Sequence, residues 1–200
     1  MTTTKTQNFE PQEAVPFGCV LTLPATGTEM NCGSVISWRR MNKKLGFKHD
    51  LVFPAFSVLD PEATYSLPKK QVANGLADAF VHVVEQYMAS FDIGIVQDEQ
   101  SEAIMRSLIH VAHDTLKDDP PIYKARADFF WATTQALNGL IGLGVPQCWA
   151  THMIGHELSS RSLSFSPFIS SSSSSSSDFQ TPQNNNNNKK KKQTHSILWP

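Results

Sequence analysis

The apolar positions of this chain follow two different rhythms. Before residue 67 they come in short runs: Cys19-Val-Leu-Thr-Leu23 reads as a buried strand closed by Pro24 and the turn-forming Gly27. Val35-Ile-Ser-Trp38 reads as a strand entering a basic hairpin-like turn at 39–46, with Phe53 to Leu59 as the returning strand. Asp60-Pro61-Glu62 and Leu67-Pro68 then punctuate the chain. Beyond them the spacing turns helical over 70–89, 97–117, 122–138 and 147–158, with Pro120-Pro121 and Gly142 to Pro146 separating the later pieces. Residues 16–67 are therefore expected to be strand-rich and residues 68–159 an all-helical layer, with a domain boundary between them. Residues 1–15, polar and broken by Pro11, are expected to be a flexible lead-in. The runs Ser170–Ser177, Asn184–Asn188 and Lys189–Lys192 have almost nothing to bury, which makes 160–200 a low-complexity tail expected to be disordered.

Composition narrows the function classes. A formal charge of -1 predicts no general attraction to nucleic acid or to an anionic membrane surface. Cys19, Cys32 and Cys148 form no C-x-x-C pair, so neither a disulfide framework nor a cysteine zinc site is expected. The N-terminus has no apolar signal core and no apolar run reaches bilayer length, so a cytoplasmic protein is expected.

The chemistry concentrates in two helical stretches. In Val72 to Tyr87, apolar residues at 72, 76, 80, 83, 84 and 87 make one stripe, and Asp78 and His82 project from neighbouring points beside it. Alone, that pair reads more readily as an ordinary Asp–His hydrogen bond near a core. Trp149-Ala-Thr-His-Met-Ile-Gly-His-Glu157 adds His152 and His156, again one turn apart. Carboxylate and imidazole from two helices match the ligand set of a catalytic divalent cation with open positions, and the metal reading is favoured. His110 and His113, flanked by polar residues, read as a solvated surface pair. The Thr26-Gly27-Thr28 loop could approach a ribose or phosphate because glycine lacks a Cβ, although such loops are usually only turns.

Four motifs carry a family resemblance: Leu23-Pro-Ala-Thr-Gly-Thr-Glu-Met-Asn31, Gln71-Val-Ala-Asn-Gly-Leu-Ala-Asp-Ala-Phe-Val-His82, Gln135-Ala-Leu-Asn-Gly-Leu-Ile-Gly142, and Trp149 through Glu157. In order and spacing they resemble the iron-containing (group III) alcohol dehydrogenases, nearest the NADP-dependent butanol dehydrogenase and aldehyde reductase branch, from about Phe17 to Leu158. The resemblance implies the C-terminal part of an α/β nucleotide-binding domain followed by the N-terminal part of an all-helical metal-binding domain. It implies Asp78, His82 and His152 as ligands of iron(II) or zinc, and His156 as a further histidine near nicotinamide and substrate. It also implies Thr22, Thr26, Asn31 and Lys44 along the cleft for NADP or NAD. The activity implied is interconversion of small alcohols and aldehydes, with a homo-oligomer as in the parent family left open.

Two departures qualify that expectation. No G-x-G-x-x-G or Gly-Gly-Gly-Ser pyrophosphate loop occurs, and the position about fourteen residues after His152, where the family has a fourth ligand histidine, is Ser166. The resemblance stops abruptly after Leu158, which suggests an altered C-terminus. Beside the enzyme stand two alternatives: a non-catalytic truncated product that partners a full-length relative, and a helical metal-binding module without redox activity.

Overall fold

The computed structural model describes residues 11–89, 93–161 and 197–199. Among the described residues, four strands precede four α-helices and a fifth strand follows them, the strands forming two small sheets. β1 (Gly18–Val20) runs parallel to β4 (Phe56–Leu59), pairing Gly18 with Phe56 and Val20 with Val58. Between them, β2 (Gly33–Trp38) and β3 (Lys43–Lys48) form an antiparallel ribbon that pairs Trp38 with Lys43 and Gly33 with Lys48. Its turn closes through Asn42, which adopts the left-handed conformation at φ 49° that asparagine tolerates better than most residues. On the other side of β4 lies β5 (Ile197–Trp199), antiparallel, in the order β1-β4-β5.

Three strand expectations need correction. The strand returning from β2 is Lys43–Lys48, not Phe53–Leu59; the latter stretch supplies β4 and pairs with β1 instead. The predicted buried strand Cys19–Leu23 is the three-residue β1, with Gly18 and Val20 exposed. Its ladder continues only to the Leu21 N–H, which donates to Val58 O at 3.0 Å, before the chain bends ahead of Pro24, which has no N–H to give. Within the stretch expected to be featureless, Ile197–Trp199 is a strand, because an apolar tripeptide can add to the free edge of β4. The remainder of that stretch, and residues 1–10 of the lead-in, lie outside the described residues.

The helices are α1 (Lys69–Tyr87), α2 (Ile95–Thr115), α3 (Tyr123–Leu137) and α4 (Ala150–Arg161). Val72, Leu76, Ala79 and Val83 of α1 pack with Leu108 and Val111 of α2, with Phe129, Ala132 and Ala136 of α3, and with Ile141. Gln86 of α1 donates from Nε2 to the carbonyls of His82 and Ala136, both at 2.9 Å, fastening α1 to α3 at the level of the site. Leu21 and Leu59 meet Phe130 of α3, so the small sheet leans on the helical layer. Arg126 is fully buried, donating to Asp118 at 3.0 Å and reaching the Thr64 carbonyl at 3.4 Å. No helix among the described residues is long and apolar enough to cross a membrane.

Candidate metal centre

Helical spacing puts Asp78 and His82 on one face of α1, and the packing of α4 brings His152 opposite them. One ligand atom from each of these three buried residues lies within 4.8 Å of the others. His152 Nε2 is 3.6 Å from Asp78 Oδ1, and His82 Nδ1 is 3.8 Å from Asp78 Oδ2. The imidazole rings of His82 and His152 lie 4.2 Å apart, with Trp149 edge-on to both. His82 Nδ1 is buried and makes no hydrogen bond. A buried, unsatisfied nitrogen is costly in an apolar setting, and facing a carboxylate and a second imidazole it fits a divalent cation.

The electrostatics of the two imidazoles differ. Burial pushes the pKa of His82 down to about 4, against the pull of Asp78, so its ring is neutral at physiological pH, the state in which imidazole ligates. For His152 burial also disfavours the charged form, but Asp78 and Glu85 outweigh it and raise its pKa.

Glu85, which the sequence reading passed over, belongs to this cluster. Its Oε2 meets His152 Nδ1, and its Oε1 accepts the N–H groups of Thr151 at 2.5 Å and His152 at 3.3 Å. Burial raises its pKa, but these donors together outweigh that effect and keep it low. The available signal was spacing: Glu85 stands three residues after His82, on the same face of α1.

His156 is half-buried one turn along α4, its ring perpendicular to that of His152 with centroids 6.4 Å apart. Burial, then Lys44 and His152, lower its pKa. Lys44 of β3 is half-buried; burial lowers its pKa while Asp78 opposes the shift, so electrostatics link the ribbon to the cluster. Thr22 is exposed and Thr26 half-buried on the loop after β1. Asn31 has its amide committed within the fold: Nδ2 donates to Thr26 O at 2.8 Å and Leu137 O at 3.1 Å, and Oδ1 accepts from Gly33 N at 3.0 Å. His110 and His113 are exposed, as expected. Ser166 lies outside the described residues.

A carboxylate–imidazole–imidazole cluster on two helices, beside a small strand-rich piece, is thus where the chain's metal-ligating groups converge. The model for iron-containing alcohol dehydrogenase matches residues 1–61, and that for the C-terminal part of the Fe-containing alcohol dehydrogenase family matches residues 72–162. The NADPH-dependent aldehyde reductase YqhD of Escherichia coli (strain K12) is 53% identical over 78% of this chain and 40% of its own length. NADP-dependent alcohol dehydrogenase 3 of Entamoeba histolytica is 46% identical over 72% of this chain and 37% of its own. Among solved structures, NADH-dependent butanol dehydrogenase A from Thermotoga maritima superposes with a TM-score of 0.72 at 34% identity, covering 76% of this chain and 38% of that one. The chain belongs to the iron-containing alcohol dehydrogenase family, an enzyme family of alcohol and aldehyde dehydrogenases. It spans about two fifths of the length of the relatives it matches.

Proposed function

We propose that this chain carries the metal centre and part of the nicotinamide cleft of an NAD(P)-dependent alcohol or aldehyde oxidoreductase. The observation that carries the reading is the convergence of Asp78, His82 and His152, with ligand atoms within 4.8 Å of one another. A divalent cation such as iron(II) or zinc held by these residues supplies Lewis-acid polarisation of a carbonyl or alkoxide oxygen, and NADP or NAD supplies or accepts the hydride.

The chain's own groups divide the remaining work. His156, kept neutral by burial and by Lys44, can take or give a proton at the substrate oxygen or position the substrate. Thr22 and Thr26 offer hydroxyls, and Lys44 an ammonium group, to ribose or phosphate oxygens of the dinucleotide. Asn31 acts through the shape of the loop, because its amide already ties Thr26 to Leu137 and Gly33.

A second reading rests on the fact that all three ligand residues come from α1 and α4. Such a unit could bind metal without redox activity. Zinc titration of the chain and NADPH-dependent reduction of a short aldehyde separate the two. Metal binding with turnover supports the oxidoreductase, metal binding without turnover supports the module, and failure to bind metal removes both.

A further inference from the structure

The first turn of any helix leaves N–H groups without helical partners, and an acceptor side chain just before the helix usually meets them. α4 begins at Ala150, and Trp149 before it has no side-chain acceptor. The missing acceptor comes from another helix. Glu85 of α1 takes the Thr151 and His152 N–H groups on Oε1, and its other oxygen meets His152 Nδ1. Glu85 is 8% exposed, and its negative charge faces the positive end of the α4 dipole.

Resting on the metal reading above, we propose that Glu85 is the positioning residue of the metal centre, seating α4 and fixing the tautomer of His152 with a single carboxylate. A carboxylate can only accept, so the hydrogen on Oε2 must come from Nδ1. In the neutral ring the lone pair is thereby left on Nε2, the atom 3.6 Å from Asp78 Oδ1. The two jobs are coupled, because the oxygens that cap the helix and orient the ring belong to one rigid group.

Glu85→Gln separates the jobs. An amide oxygen still accepts from both backbone N–H groups, but its NH2 now donates to Nδ1 and drives the ring proton to Nε2, which then cannot ligate. Three measurements on the full chain form the test: zinc titration, far-ultraviolet circular dichroism, and nitrogen-15 NMR of labelled histidines in alkaline buffer. The native chain is expected to carry the His152 proton on Nδ1. Glu85→Gln is expected to carry it on Nε2, keep native helicity, and bind zinc about 10–100-fold more weakly, the usual cost of losing a hydrogen-bonded neighbour of a ligand. Glu85→Ala should lose helicity as well. Native-like zinc affinity in Glu85→Gln, or a loss of affinity that merely tracks lost helicity, overturns the proposal. A native His152 protonated on Nε2 overturns it too, even if the variant fails to fold. Should the native chain bind no zinc, the metal reading fails, while the tautomer measurement still decides the role of Glu85.

Discussion

Gly75 of α1 lies directly against the carbonyl of Pro24: a Cβ built on Gly75 would come 2.4 Å from that oxygen and 3.3 Å from Cζ of Phe129. The helix that bears Asp78 and His82 therefore touches the loop that bears Thr22, Thr26 and Asn31, and Glu29 of the same loop bonds Thr134 of α3. That close approach of α1 to the loop requires that position 75 carry no side chain.

Alanine at position 75 tests that contact by the sign of its effect. In an open helix Gly→Ala stabilises by up to about 1 kcal/mol. Here a backbone carbonyl must move, so Gly75→Ala is expected to destabilise by roughly 1–3 kcal/mol, as overpacked interiors do. Urea unfolding measures it, and a stabilised variant would show that the loop does not rest on α1.

Glu29 predicts a pH dependence. Its Oε1 accepts from Thr134, its Oε2 is buried without a hydrogen bond, and burial raises its pKa above the ordinary 4.5 by more than Thr134 and a backbone hydrogen bond lower it. The folded state thus holds the proton to higher pH than the unfolded state, and stability falls as pH rises from the ordinary value through the raised one. Glu29→Gln keeps a hydrogen-bonding group beside Thr134 but cannot ionise. Its stability relative to the native chain is expected to increase across that window, and parallel stability curves would sink the assignment.

The helices were legible in the sequence because each hides one stripe in the core, so Val72, Leu76 and Val83 recur at helical spacing. The ribbon was not. Lys43-Lys-Leu-Gly-Phe-Lys48 pairs along its whole length with β2, yet Leu45 and Phe47 are exposed, and without a buried face no alternation marks a strand. Asp78, His82 and His152 could be read from local spacing within two helices. Spacing put Glu85 on the same face as His82 but not its role, because its partners are 66 and 67 residues away and only the packing of α4 on α1 brings them together.

Ile36, Trp38, Leu45 and Phe47 of the ribbon are exposed, as are Met153, Ile154 and Leu158 of α4. Apolar exposure on this scale drives association. The chain is expected to self-associate as concentration rises and to bind a fluorescent apolar dye while folded. A monomer at all concentrations by analytical ultracentrifugation, with no dye binding, would contradict this.

The metal assignment ranks the histidines. His82 Nδ1 is buried, makes no hydrogen bond and lies 3.8 Å from Asp78 Oδ2, whereas His156 stands one turn further along α4 with its ring 6.4 Å from that of His152. Removing His82 leaves Asp78 and His152 on separate helices with no third protein ligand to hold a cation between them. A three-ligand site keeps water in its open positions, but two ligands give little preorganisation. His82→Ala should therefore lower zinc affinity by more than the ~100-fold that bounds the loss of a ligand's hydrogen-bonded neighbour, and His156→Ala should stay within that bound. Both substitutions shorten a side chain without altering the backbone of its helix, so circular dichroism should match the native chain and the comparison is one of affinity alone. Titration calorimetry with zinc gives the ranking directly. If His156→Ala abolishes binding while His82→Ala leaves it intact, the cation is held elsewhere on α4 and the ligand set must be redrawn.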